Sequence, residues 1–168
     1  MKRAEDTTKK TIVIGYGNTL RCDDGAGVAA AQRLAAHREG ADVMTVEALE
    51  PGLAELIAGY ERAVFLDASV STPSVRVSDV SCEAPLQGGD GHTLSPSGVI
   101  ALSRGLYGHA PDEAMLVEIP AFECGFGERM STPTLRMIDC SVQLVSELLH
   151  GETTPEILLC LAPSPEGD

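Results

Sequence analysis

Apolar positions fall into two alternating rhythms along the chain. Thr11-Ile12-Val13-Ile14-Gly15 is a short β-branched run that stops at glycine, the pattern of a strand buried on both faces. From Asp24 to His37 the chain turns Ala-rich, and Val28, Ala31, Leu34 and Ala35 recur at helical spacing. A strand over Asp42–Ala48 and a short helix over Pro51–Tyr60 follow, with Pro51 suited to a first helical turn. A third strand, Ala63–Asp67, is apolar until its last residue. Val75–Val80 alternates as a half-buried or edge strand does. Ser95-Pro96 opens a helix through Tyr107, and Ala114–Ile119 is the fifth strand. Thr132-Pro133 begins the last helix, where Leu135, Ile138, Val142, Val145 and Leu149 step by three and four into one apolar stripe.

Strands alternating with helices imply an α/β fold, a three-layer αβα sandwich. Its twisted, mostly parallel sheet of about five strands would carry helices on both faces. The expected organisation is a single domain over 11–151, a flexible leader over 1–10 and a tail over 152–168. Within that tail Ile157–Leu161 is apolar and is expected to dock on the body or on a partner, while the acidic end is expected to fray.

The chain has 168 residues, with 12 Lys+Arg against 25 Asp+Glu and a net charge of −13. That surplus argues against nucleic acid and anionic membranes as partners, since either demands a cationic surface. No stretch is long and apolar enough to span a bilayer, and the polar start lacks the apolar region of a secretion signal, so a cytoplasmic location is expected. The five cysteines include no C-x-x-C pair and read as reduced thiols.

Ligands of such sheets bind beyond the carboxyl ends of the strands, where strand order reverses. The segment past the first strand is Gly15-Tyr16-Gly17-Asn18-Thr19-Leu20-Arg21-Cys22-Asp23-Asp24-Gly25. Leu20 stands where a dinucleotide fingerprint wants its third glycine, and two adjacent carboxylates would repel a pyrophosphate, which weakens a nucleotide-binding reading. Asp23 and Asp24 suit a helix cap and dipole partner, or a functional edge. Asp67, ending its strand, should emerge at that same edge. Two carboxylates from neighbouring strand ends plus an imidazole from the glycine-rich loop at His92 make an O,O,N set suited to a divalent transition metal with open positions. His37 and His150 read as solvated helix ends and His109 as a turn residue. A serine or cysteine hydrolase finds little support. There is no G-x-S-x-G elbow, and Cys22 adjoins two carboxylates.

Together GYGNTLRCDDGAG, FLDAS at Phe65–Ser69, HTLSP at His92–Pro96 and Glu128-Arg129-Met130-Ser131-Thr132-Pro133 resemble the hydrogenase maturation endopeptidases, over roughly residues 11–150. The resemblance implies a nickel-dependent protease that removes a C-terminal extension from the precursor of the NiFe-hydrogenase large subunit. Nickel, supplied by the substrate, is then the recognised element, and cadmium or zinc can take its place. It maps the metal contacts onto Asp24, Asp67 and His92, and gives Gly15, Gly17, Asn18 and Gly25 as structural motif positions. Two departures stand out. The family's histidine commonly follows the Ser-Pro pair, where this chain has Ser97, and the Glu47–Glu50 region lacks the family's glycine-rich turn. Asp23, the nearest spare carboxylate, is the candidate general base. The competing expectation is a metal-sensing or chaperone-like binding module on the same fold that does not cleave.

Overall fold

The computed structural model describes residues 9–37, 40–81 and 93–151. His92 and its loop, and the segment 157–161, lie outside the described residues. A five-stranded sheet carries the order β2-β1-β3-β5-β4. Its strands are β1 (Thr11–Tyr16), β2 (Asp42–Val46), β3 (Arg62–Ser69), β4 (Arg76–Asp79) and β5 (Glu113–Pro120). The helices are α1 (Ala26–His37), α2 (Leu53–Ile57), α3 (Pro96–Tyr107) and α4 (Thr132–His150). The first four strands in spatial order are parallel, and only the edge strand β4 runs antiparallel to its neighbour β5.

Side chains alternate across a strand, so each strand feeds two cores. Val13, Val64, Leu66, Val117 and Ile119 pack with α1 and α4 on one face. On the other face Ile12, Ile14, Ala63, Phe65 and Ala114 pack with residues of α2 and α3. This is why β1 and β3 read as unbroken apolar runs, while β4 is exposed along its whole length.

The sheet's strand order reverses at β1. The chain leaves β1 through α1 to β2 on one side, then returns through α2 to β3 on the other. Asp24 and Asp67 therefore flank the switch point, where such sheets open a crevice. Close backbone approach shapes this corner. A Cβ on Gly27 would stand 2.2 Å from the Leu66 carbonyl oxygen, so only glycine lets α1 lie this close over β3.

Three expectations need correction. Asp67 does not end β3, which runs on through Ser69 because Ala68 and Ser69 still find partners in Ile119 and Pro120. The first helix is preceded by a separate 3-10 turn, Cys22–Gly25, which carries both aspartates. The buried face of α4 is also rotated from the apolar stripe. Thr134, Met137, Ser141 and Leu144 are buried beside Ile138 and Val145, and Leu135 is 37% exposed. The Thr134 hydroxyl accompanies the rotation, since it reaches across to the Asp23 carboxylate, while Ser141 satisfies its own within the helix on the Ile138 carbonyl. Within the expected leader, Lys9 and Lys10 are tied to the body. Lys9 pairs with Glu113, the Lys10 amide donates to Glu61 at 2.9 Å, and the Lys10 ammonium lies 4.6 Å from the centre of the Tyr60 ring.

Candidate functional site

The carboxyl edge of the sheet gathers acids. Asp67 and Glu118 are direct partners in the parallel register of β3 and β5, and Gly15 pairs with Leu66, which sets Tyr16 beside Asp67. By the strand alternation Tyr16, Asp67 and Glu118 continue the face that carries Ile14, Phe65 and Leu116. Burial pushes the Asp67 carboxyl up to about 6. The Tyr16 hydroxyl and the Ala68 amide work against that rise by hydrogen bonding, and the charges of Asp24 and Glu118 add to it. The Tyr16 phenol is itself raised, by burial first and then by the charge of Asp67. Glu118 is held by Arg76 of β4, whose guanidinium approaches to 2.5 Å.

Asp24 reaches this edge from the 3-10 turn. Its Oδ2 accepts the Asn18 amide at 3.1 Å, and the Asn18 side chain in turn accepts the Leu20 amide at 2.9 Å. Gly17 allows the fold-back with φ +137°, and a Cβ there would lie 2.1 Å from the Asp24 carbonyl oxygen. The structure thus brings Asp24 and Asp67 into electrostatic contact. Among the described residues, no group of three His, Cys, Asp or Glu side chains has metal-holding geometry.

Asp23 belongs to a different environment. Its side chain is wholly buried and turned under the loop between β5 and α4. Oδ1 accepts the Ser131 amide at 2.7 Å. Oδ2 accepts the Phe122 amide at 2.9 Å, the Glu123 amide at 2.8 Å, and the Ser131 and Thr134 hydroxyls at 2.7 Å each. Burial alone would raise this carboxyl, but the bonds from Ser131, Thr134 and Glu123 outweigh it and hold the group below the usual carboxylate range. A carboxylate with its lone pairs filled and its proton affinity lowered is unsuited to accept a proton from water. The expectation of Asp23 as general base is therefore replaced by a role at the start of α4, whose cap Ser131 it grips.

The remaining histidines lie apart from the acids. His37 and His150 cap helix ends with Nδ1 on the Arg33 and Ser146 carbonyls, and His109 contacts the Ala58 carbonyl at 2.8 Å. Cys124, in the loop after β5, has its thiol raised by burial and by the charges of Asp24 and Asp23, which disfavours a thiolate nucleophile. An open cleft of about 350 Å³ adjoins Asp24, with Asn18–Leu20 on one wall, Thr45–Glu47 on the other and Val28 beneath. In the loop after β5, Phe122 and Phe126 are 50% and 96% exposed.

The architecture is shared with known structures. The chain matches the [NiFe] hydrogenase maturation protease HybD from Thermococcus kodakarensis at 23% identity and TM-score 0.61, over 83% of this chain and 99% of that one. It matches HycI, also a [NiFe] hydrogenase maturation protease, from Thermococcus kodakarensis KOD1, at 19% identity and TM-score 0.66, over 86% and 95%. The E. coli hydrogenase maturating endopeptidase HybD aligns at 17% identity and TM-score 0.66, over 84% and 93%. The chain has the fold of the hydrogenase maturation proteases. No family model and no curated protein sequence matches it. On this maturation-protease fold, Tyr16 and Glu118 are site neighbours that sequence reasoning missed. Glu118 was visible only as a lone polar residue in the run AMLVEI, and nothing local gives the register that seats it against Asp67.

Proposed function

We propose that this chain is a hydrogenase maturation endopeptidase, cutting the C-terminal extension from the nickel-loaded precursor of a NiFe-hydrogenase large subunit. The observation that carries the reading is the juxtaposition of Asp24 and Asp67 at the switch point of this fold, with Asp67 raised to about 6 by burial and by its acidic neighbours. A divalent ion would relieve both the burial of Asp67 and the repulsion it feels from Asp24. Oxygen donors with open positions suit an ion that arrives already held by its own ligands. On this reading nickel is part of the substrate, Asp24 and Asp67 contact it, and His92 supplies the third contact. Cadmium and zinc are the expected stand-ins.

Nickel supplies Lewis-acid polarisation of the scissile amide. The chain's own residues do the positioning. Tyr16 and the Ala68 amide hold the Asp67 carboxylate, the Asn18 amide holds that of Asp24, and the cleft beside Asn18 receives the peptide flanking the cut. Exposed Phe122 and Phe126 support a protein as substrate, since large exposed apolar side chains suit a partner's surface. No described helix is long and apolar enough to cross a membrane, and Cys22, Cys124 and Cys140 form no disulfide among the described residues, in keeping with a cytoplasmic site of action.

A second reading, a metal-binding module that does not cleave, is favoured by one observation: Asp23, the spare carboxylate, is fully engaged. Incubation with the nickel-loaded, tail-bearing precursor separates the two. Shortening of the precursor that is lost with Asp24→Asn supports the endopeptidase. An uncut precursor that nevertheless binds in an Asp24-dependent manner supports the module.

A further inference from the structure

Asp23 sits next to Asp24 in the chain yet turns its carboxylate to the loop after β5 and the start of α4. Its partners Phe122, Glu123, Ser131 and Thr134 span the β5–α4 loop and the first turn of α4. Backbone bonds complete the clasp. The Asp23 amide donates to the Glu123 carbonyl at 2.9 Å, the Cys22 amide to Gly127 at 2.7 Å, and the Gly127 amide to Leu20 at 2.8 Å. Cys22 is held at φ +52°, the only non-glycine with positive φ among the described residues. A non-glycine persists there only where its surroundings over-determine it, and the clasp supplies that constraint on both sides of the residue.

We infer that Asp23 is the positioning residue of the site, a buried latch that fixes the Cys22–Gly25 turn on α4 and thereby sets where the Asp24 carboxylate stands. The inference rests on the proposed reading only in taking Asp24 as the group that meets the substrate. Asp24 itself is anchored by the Asn18 amide at 3.1 Å. Its direction is therefore inherited from the turn, and the turn is pinned by its neighbour. The latch also holds the start of the loop after β5 through the Phe122 and Glu123 amides, so one carboxylate registers that loop and the Cys22–Gly25 turn against α4. Outer-shell partners of metal-contacting groups usually cost on the order of 10- to 100-fold when removed, without touching the metal themselves.

The test uses the full chain in three variants. Asp23→Asn removes the charge at constant shape, and Thr134→Val removes one donor while keeping size. Ser103→Ala is the control, deleting a buried hydroxyl bond to the His109 carbonyl in α3, away from the site. The first readout is the Asn18 amide in the metal-free protein, followed by NMR shift and exchange protection, because that proton reports the Asp24 carboxylate directly. The second is precursor processing, split into kcat and KM. In Asp23→Asn and Thr134→Val the Asn18 amide should shift and lose protection while amides of β1 and β3 keep theirs. Asp23→Asn should lower kcat by roughly 10- to 100-fold with KM changed by no more than about twofold. Ser103→Ala should lower the melting temperature and alter neither readout. An Asn18 amide unmoved in Thr134→Val, or moved equally in Ser103→Ala, overturns the latch. Should Asp23→Asn fail to fold, Thr134→Val decides. Should the wild-type chain leave every precursor uncut, the endopeptidase reading falls, and the Asn18 amide still decides whether Asp23 sets Asp24.

Discussion

Asp67 of β3 and Glu118 of β5 face each other as direct partners in a parallel ladder, two acids side by side with Asp24 adding a third negative charge. Like charges in register destabilise a sheet, and burial adds to the cost. Arg76 pairs with Glu118 and offsets part of that cost, which leaves burial and the charge of Asp24 to weigh on Asp67.

The first prediction is a pH dependence with an unusual sign. Asp67 is raised from 3.8 to about 6 in the folded chain, so between those values the native state binds more protons than the unfolded state. Its contribution is therefore most favourable below about 4, and is lost as pH rises through about 6. Asp67→Asn should stabilise the protein at pH 7, by about 2 kcal/mol at most after allowance for partial solvent screening, and should flatten the loss between pH 4 and 6. Urea unfolding at a series of pH values checks this. A destabilised variant at pH 7 would contradict the burial and repulsion assigned to Asp67.

Asp23 carries the opposite sign. Its carboxyl lies below the usual range in the folded state, so its stabilisation is complete above the unfolded value near 4 and is lost as pH falls through the lowered folded value. Asp23→Asn should remove this acid-side component. The variant should unfold more easily than wild type at pH 7, while the difference narrows at the acid extreme. The comparison with Asp67→Asn is informative because adjacent elements of one site then respond to pH in opposite directions.

Cation binding should reverse the Asp67 effect. Cadmium, used in place of nickel, should lower the apparent carboxyl value of Asp67, since a positive charge favours the ionised form. Saturating ion at pH 7 should raise the melting temperature of the wild-type chain and leave Asp24→Asn and Asp67→Asn unaffected. Differential scanning calorimetry with and without cadmium measures it. Equal stabilisation of all three proteins would place the ion at another site.

The order of strands and helices was legible because burial on two faces writes unbroken apolar runs into β1 and β3, and helical spacing writes α1 and α4. The edge that carries Asp24 and Asp67 was legible for the same reason: strand carboxyl ends and a glycine-rich turn fix where such a sheet opens. Asp23 and Asp24 look equivalent as adjacent letters. They part only through contacts about 100 residues away, at Phe122, Ser131 and Thr134, which no local pattern carries. Glu118 was hidden in the same way, by a register between strands that are distant in sequence.

The face that α4 buries gives the sharpest test of where local pattern stops. Leu135 belongs to the apolar stripe of the sequence yet is 37% exposed, whereas Met137 lies off that stripe and is 3% exposed. Helix orientation here follows the buried hydroxyl of Thr134, which donates to the Asp23 carboxylate at 2.7 Å, and this turns the leucine toward solvent. Met137→Ala should cost roughly 2–5 kcal/mol, as truncation of a buried side chain does. Leu135→Ala, on an exposed position with good helix propensity for alanine, should stay within about 1 kcal/mol of wild type. Urea midpoints with unchanged slopes decide between them. A larger loss for Leu135→Ala would restore the stripe as the packing face and detach Thr134 from Asp23.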